Sequence, residues 1–262
     1  MNRLTSTGIP EREFNAVKQF LLRSTVPLLY ESDDVAGIQG TGCLFERSGH
    51  LYFVTAGHVL EGLNPETLGI PLRQIDSEVF TLGEGLMGWS KNEKFDVGAY
   101  RIDDTSFALQ LRQSYVVLSD LNVGQSIAEG RYIIPGYPRA TIKRVGNTLQ
   151  PKDLTQIYTG TYEGEVIGDR APHDLFFKWG KEADSLWGHK AETPSLKGIS
   201  GAPVWLLREN QSAIWSPEGS LCLVGLQVSC DPHDRYIRTL SWPVVAAALD
   251  ELKPVGSSTS AA

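Results

Sequence analysis

Apolar residues recur along this chain with two different periods. In EREFNAVKQFLLRS, residues 11 to 24, Phe14, Val17, Phe20 and Leu21 fall three and four apart, on one face of a helix. Pro10 stands just ahead, where a missing N–H costs nothing. The spacing predicts an amphipathic helix whose apolar face packs on the rest of the protein. From about residue 26 the pattern changes to short segments rich in Val, Ile, Tyr, Phe and Leu, such as LYFVTA, VGAYRI, RYIIPG, DLFFKW, APVWLL and LCLVGLQVS. Gly, Pro, Asn, Asp and Ser separate them. Many short strands with turn residues between them predict an antiparallel barrel or sandwich. Long helices do not alternate with these strands, which disfavours a parallel α/β sheet. A second helical stretch, PVVAAALDELK at 243 to 253, follows the last strand, and the small polar tail GSSTSAA is expected to be disordered.

No internal repeat is visible, and the polar stretch LSDLNVGQS near 118 to 126 is the best candidate boundary. The expected organisation is an N-terminal helical extension over 1–25, a first barrel over 26–120, a second barrel with the C-terminal helix over 121–253, and a tail over 254–262.

Charge and cysteine usage narrow the classes. The formal charge is -7, and no basic stripe of the kind that binds nucleic acid is present. The N-terminus MNRLTSTG lacks the apolar core of a secretory signal, and no apolar run has the length of a membrane span. The three cysteines, Cys43, Cys222 and Cys230, are odd in number and form no CxxC, so reduced thiols and a cytoplasmic home are expected. None of the five histidines stands at a metal-ligand spacing from another ligating residue, so no metal and no cofactor is expected. The Gly-rich GIQGTG at 37 to 42 is followed by a strand, not a helix, which argues against a phosphate cradle.

Three local texts carry candidate chemistry. Thr55-Ala56-Gly57-His58 follows the strand Leu51 to Val54, Phe95-Asp96-Val97-Gly98 opens another, and Gly198-Ile199-Ser200-Gly201-Ala202-Pro203 precedes a third. A serine hydroxyl is a weak nucleophile and needs a base within reach and donors for the oxyanion it creates. Neutral imidazole can take that proton near pH 7, and a carboxylate on its second nitrogen fixes the tautomer. Gly198 permits a sharp bend, so the N–H groups of Gly198 and Ser200 are candidate oxyanion donors. The serine is not in the Gly-x-Ser-x-Gly turn of the α/β-hydrolases, because Gly201 follows it at once.

Together these texts resemble the trypsin-like, chymotrypsin-fold serine peptidases, of a bacterial cytosolic type. The order His, Asp, Ser is that family's, and each text is similar to one of its blocks. Gly40-Thr41-Gly42 resembles the strand ahead of the histidine, Gly136-Tyr137-Pro138 a turn of bacterial members, and Leu223 to Gln227 the strand lining the cleft. The resemblance, spanning about residues 26 to 250, implies an all-β fold of two six-stranded antiparallel β-barrels with an N-terminal and a C-terminal helix.

It also implies a serine endopeptidase with His58, Asp96 and Ser200 as catalytic residues and Gly198 and Ser200 as the oxyanion hole. The implied substrate pocket includes Pro194, Gly225, Leu226 and Gln227. The expected pocket base, near Pro194, is not itself an acid, which points to an uncharged P1 residue. Secreted trypsins carry Asp where this chain has Ile199, so activation by a newly cut N-terminus is not expected. The implied partners are a protein or peptide substrate and a regulatory protein, without nucleic acid or membrane. The alternatives are a catalytically silent binding or sensing module, or an esterase on the same scaffold.

Overall fold

The structure, a computed structural model, describes residues 10–32, 35–72, 79–82, 89–92, 95–139, 142–145, 148–151, 154–168, 170–184, 190–193, 195–208, 215–231, 233 and 235–251. The first helix, α1 (Glu11–Ser24), has the predicted bounds and buries Phe14, Val17, Phe20 and Leu21. Glu11 and Glu13 in its first turn and Arg23 in its last complement the helix dipole. Phe20 meets Trp205 edge-on at 5.4 Å, so the helix packs against the C-terminal half of the chain.

The first sheet holds β1 (Val26–Ser32), β2 (Val35–Arg47), β3 (His50–Ala56), β4 (Leu68–Pro71), β5 (Val79–Thr81), β6 (Trp89–Asn92), β7 (Val97–Ile102) and the two-residue β8 (Val117–Leu118). Its order is β5-β4-β1-β2-β3-β7-β6, with β8 parallel to β2. The long strand β2 changes partners midway. Val35 to Gly42 pair with β1, and Cys43 to Arg47 pair with β3. The second half of the chain contributes β9 (Arg131–Gly136), β10 (Ile142–Val145), β11 (Thr148–Pro151), β12 (Thr155–Thr159), β13 (Asp174–Lys178), β14 (Glu182–Asp184), β15 (Lys190–Glu192), β16 (Pro203–Leu207), β17 (Leu221–Cys230) and β18 (Tyr236–Ser241). Six of these form the sheet β12-β9-β16-β17-β18-β13, and β10-β11 and β14-β15 are separate hairpins.

The predicted all-β architecture of two antiparallel barrel sheets with a helix at either end is the one found. The first sheet carries eight strands against the six expected, because the short β5 and β8 join its margins. A further helix, α2 (Thr105–Ser114), follows β7, and Asp104 caps it by accepting from the Phe107 N–H at 2.8 Å. One turn, α3 (Pro217–Ser220), precedes β17.

The last helix, α4 (Trp242–Glu251), leaves β18 of the second sheet yet closes on the first. Trp242 and Phe45 rings lie 5.0 Å apart, and Arg47 of β2 grips Asp250 with two bonds of 2.7 and 2.6 Å. One buried apolar cluster therefore runs from α1 through both sheets to α4. A second cluster, around Tyr132, Ile134, Phe177, Ile199, Val204 and Ile237, fills the second barrel. Each fully buried Leu, Ile or Phe of this set contributes about 1.5–3 kcal/mol.

Candidate active site

His58 stands where β3 runs out. The ladder between β3 and β7 ends at Ala56 opposite Val97, and the chain then tightens into a 3-10 turn, Gly57–Val59. Asp96 lies one residue ahead of β7, with φ +52°. That left-handed conformation is rare for a residue with a side chain, and Asp is among those that adopt it most readily. It turns the carboxylate back over the 3-10 turn. Oδ1 accepts from the His58 backbone N–H at 2.8 Å, and Oδ2 pairs with Nδ1 of the ring at 2.9 Å. The Asp96 carbonyl also accepts from the Gly57 N–H at 2.8 Å. One residue thus holds both the backbone and the ring of position 58. With a carboxylate on Nδ1, the neutral ring carries its proton there and presents Nε2 as an acceptor. The pair is half-exposed, with 44% of the His58 side chain and 36% of the Asp96 side chain accessible.

The loop 196–202 is pinned bond by bond. Leu196 O accepts from Ile199 N at 3.1 Å, and Gly198 has φ +101°, which makes Leu196 to Ile199 a type II turn with glycine at its third position. Lys197 O accepts from Arg139 N at 2.7 Å, and Ile199 O accepts from Ala202 N at 2.9 Å. Gly201 N donates to Gln227 O at 2.8 Å. In a planar trans peptide the N–H points opposite the preceding C=O. The anchored carbonyls of Lys197 and Ile199 therefore fix the directions of the Gly198 and Ser200 N–H groups. Among the described residues neither of those two N–H groups has an acceptor.

The same loop is seated on the end of the first sheet. Ser200 O accepts from Thr41 N at 2.9 Å. A methyl on Gly201 would lie 2.1 Å from both Thr41 O and Thr55 Oγ1 and 2.9 Å from Ala56 N, so only glycine permits this approach. Ser200 is in this way held against the strand that delivers His58. Among the described residues its hydroxyl makes no hydrogen bond, to His58 or to any other group. Ile199 is 1% exposed and packs against Gly136 in the second core. An apolar anchor therefore stands next to Ser200.

Beside Ser200 opens a cavity of about 790 Å³. Glu192, Thr193, Ser195, Leu196 and Lys197 line it, and Pro194 lies outside the described residues. Gly225, Leu226 and Gln227 are buried within β17, and the wall is built instead by Cys230 and Asp231 at that strand's end, with Trp179 opposite. Gln227 reaches the site through its backbone, bracketing the loop by its bonds with Gly201 and Ala202. Asp231 is an acid the sequence reading did not assign. Its side chain is closed off from solvent and receives Arg235 Nε at 2.8 Å and Nη2 at 3.3 Å. Those bonds hold its carboxyl below the usual carboxylate range.

None of the three cysteines, all described residues, is in a disulfide, and burial pushes the Cys43 and Cys222 thiols up, away from thiolate reactivity. Among the described residues no group of His, Cys, Asp and Glu is arranged to hold a metal ion, and no helix is long and apolar enough to cross a membrane.

Comparison with known proteins places the chain in a known fold. Neither a protein-family model nor a curated protein matches the chain. Among solved structures, the Rv3671c protease from M. tuberculosis in its active form aligns with 16% identity over 95% of this chain and 90% of its own, at a TM-score of 0.56. The inactive form of that protease aligns over 98% of this chain and all of its own, at 0.50 and 16% identity. The serine protease domain of the Sesbania mosaic virus polyprotein aligns over 88% and 93%, at 0.50 and 13% identity. At such identities the likeness is one of fold, and the fold is that of the chymotrypsin-type serine proteases.

Proposed function

We propose that this chain is a serine endopeptidase in which Ser200 is the nucleophile, His58 the general base and Asp96 the residue that orients it. Ser200 attacks the peptide carbonyl carbon as its proton passes to Nε2 of His58. The N–H groups of Gly198 and Ser200 hold the oxyanion. The imidazolium then gives its proton to the departing amine, and water releases the acyl group by the same route. The observation that carries this reading is the pairing of a carboxylate-held imidazole with two unengaged N–H donors on a rigid loop docked to the same strand end. Donors fixed in advance stabilise an oxyanion without reorganising at the moment of reaction.

The cavity beside Ser200 takes the P1 side chain, and we assign it to uncharged residues. Its buried acid, Asp231, has its charge met by Arg235, and the other charged residues of its lining, Lys181, Glu182, Glu192 and Lys197, are exposed and of both signs. Three cysteines outside any disulfide support the cytoplasm as the place of work. The test is labelling by a fluorophosphonate probe together with cleavage of a denatured protein such as casein. The wild type should be labelled at Ser200 and cleave. Ser200→Ala should lose labelling and lower turnover roughly 10⁴- to 10⁶-fold. An S200A variant as active as the wild type would end the assignment, and hydrolysis confined to small esters would replace it with the esterase reading.

A further inference from the structure

We infer that Thr41, a residue of the opposite barrel, is the positioning residue that sets the oxyanion donors; this rests on the assignment of Ser200 as nucleophile. Thr41 is fully buried at the point where β2 changes partner. Its neighbour across β1 is Pro27, which has no N–H to give, and both backbone groups of Thr41 turn the other way. Its N–H donates to Ser200 O at 2.9 Å, and its carbonyl accepts from the Thr55 hydroxyl at 2.7 Å. Its hydroxyl does two further things. It donates to Gly198 O at 2.8 Å and accepts from the Tyr137 N–H at 3.1 Å.

These four bonds meet at the seam. Tyr137 follows β9 of the second sheet, Thr55 lies three residues ahead of His58, and Gly198 lies two residues ahead of Ser200. The hydroxyl has one proton to donate and has lone pairs to accept with, and both capacities are used. The Gly198 carbonyl is the group that decides the donor turn. Anchored to Thr41, it holds the peptide between Gly198 and Ile199, whose N–H closes the turn on Leu196. Released, that peptide can rotate about the permissive glycine and open the Ile199–Leu196 bond that closes the turn, which leaves the Gly198 N–H held by the Arg139–Lys197 bond alone. A Val at 41 keeps the shape and removes both bonds. A Ser keeps both bonds and removes only a methyl.

The measurement is the saturation kinetics of fluorophosphonate labelling, which separates the reaction rate constant from probe affinity. For Thr41→Val the rate constant should fall about 10- to 10²-fold, below the ~10²–10³-fold loss that follows deletion of an oxyanion donor itself. Probe affinity should stay within about threefold. Thr41→Ser should react within about threefold of wild type. Tyr132→Phe serves as the control, because it removes a buried hydroxyl bonded to Ile127 away from the seam; it should lose stability and keep the wild-type rate constant.

Equal rate constants for folded T41V and wild type would overturn the inference, and so would a T41S as slow as T41V. Where T41V does not fold, Thr41→Ala removes the hydroxyl with less crowding and makes the same test. Failure of both to fold also overturns it, since the hydroxyl then serves folding and not reactivity. A wild type that is never labelled removes the nucleophile assignment and this inference with it, whereas a labelled wild type with an equally reactive T41V removes only the inference.

Discussion

Replacing Asp96 by Asn tests the proposed proton path with unusual selectivity, because the backbone chooses the orientation of the new amide. In the native chain Oδ1 accepts from the His58 N–H, and Oδ2 faces Nδ1. An Asn side chain keeps one acceptor only. The backbone N–H at 58 is a fixed donor, so the amide oxygen must take the Oδ1 position and the NH₂ group the Oδ2 position. That NH₂ donates to Nδ1, which forces the ring proton onto Nε2, the nitrogen meant to receive the serine proton. The backbone itself should tolerate the change, since Asn shares the tolerance of Asp for the left-handed conformation at φ +52°. The expected loss in turnover near neutral pH is about 10⁴-fold, equivalent to roughly 5.5 kcal/mol in the barrier. Loss of stability should be below about 1 kcal/mol, because the pair is half-exposed and its ionic attraction is screened. The assays are fluorophosphonate labelling, peptide hydrolysis, urea unfolding, and ¹⁵N spectroscopy of the His58 ring to locate its proton. A D96N protein that keeps activity within tenfold of wild type, with its ring proton on Nε2, would refute the reasoning.

Three further outcomes are expected. Ile199→Ala should lower stability by about 2–5 kcal/mol in urea unfolding, because the removed side chain is fully buried between Gly136 and the second core; a loss under 0.5 kcal/mol would show that the anchor is dispensable. Arg235→Ala should leave Asp231 charged and unmatched beside the cavity, and a peptide library should then show new cleavage after Lys or Arg; an unchanged profile would remove the cavity from P1 recognition. Acid should destabilise the fold through Asp231 and Asp250, whose carboxyls Arg235 and Arg47 hold below their ordinary values. The unfolded chain binds more protons there, so this stability is complete above the unfolded value near ~4 and is lost as pH falls through the depressed folded values. Urea midpoints followed as pH is lowered through the ordinary carboxylate value near ~4 and below it should fall less steeply for Asp250→Asn, and an identical slope would contradict the assignment.

Much of the fold could be read from local pattern. The bounds of α1 follow from the spacing of Phe14, Val17, Phe20 and Leu21, and the strands from runs of β-branched and aromatic residues between turn formers. The helix α2 was missed although Asp104 caps it, because only Phe107 and Leu111 of its ten residues are buried, too few to set a period. The His58, Asp96 and Ser200 texts were conspicuous because the local demands of each segment, a turn after a strand and glycine beside the serine, are written within a few residues.

What tertiary structure alone decided is how those texts meet. Thr41 reaches Gly198 across 157 positions of chain, and Arg139 reaches Lys197 across an equally unmarked gap. The sequence places Gln227 on the strand of the cleft, but only packing buries it and gives the cavity wall to Cys230 and Asp231. Hydrogen bonds between distant segments leave no period and no composition behind. They depend on which strand edges lie opposite one another, and that is settled when the two sheets bury a common core.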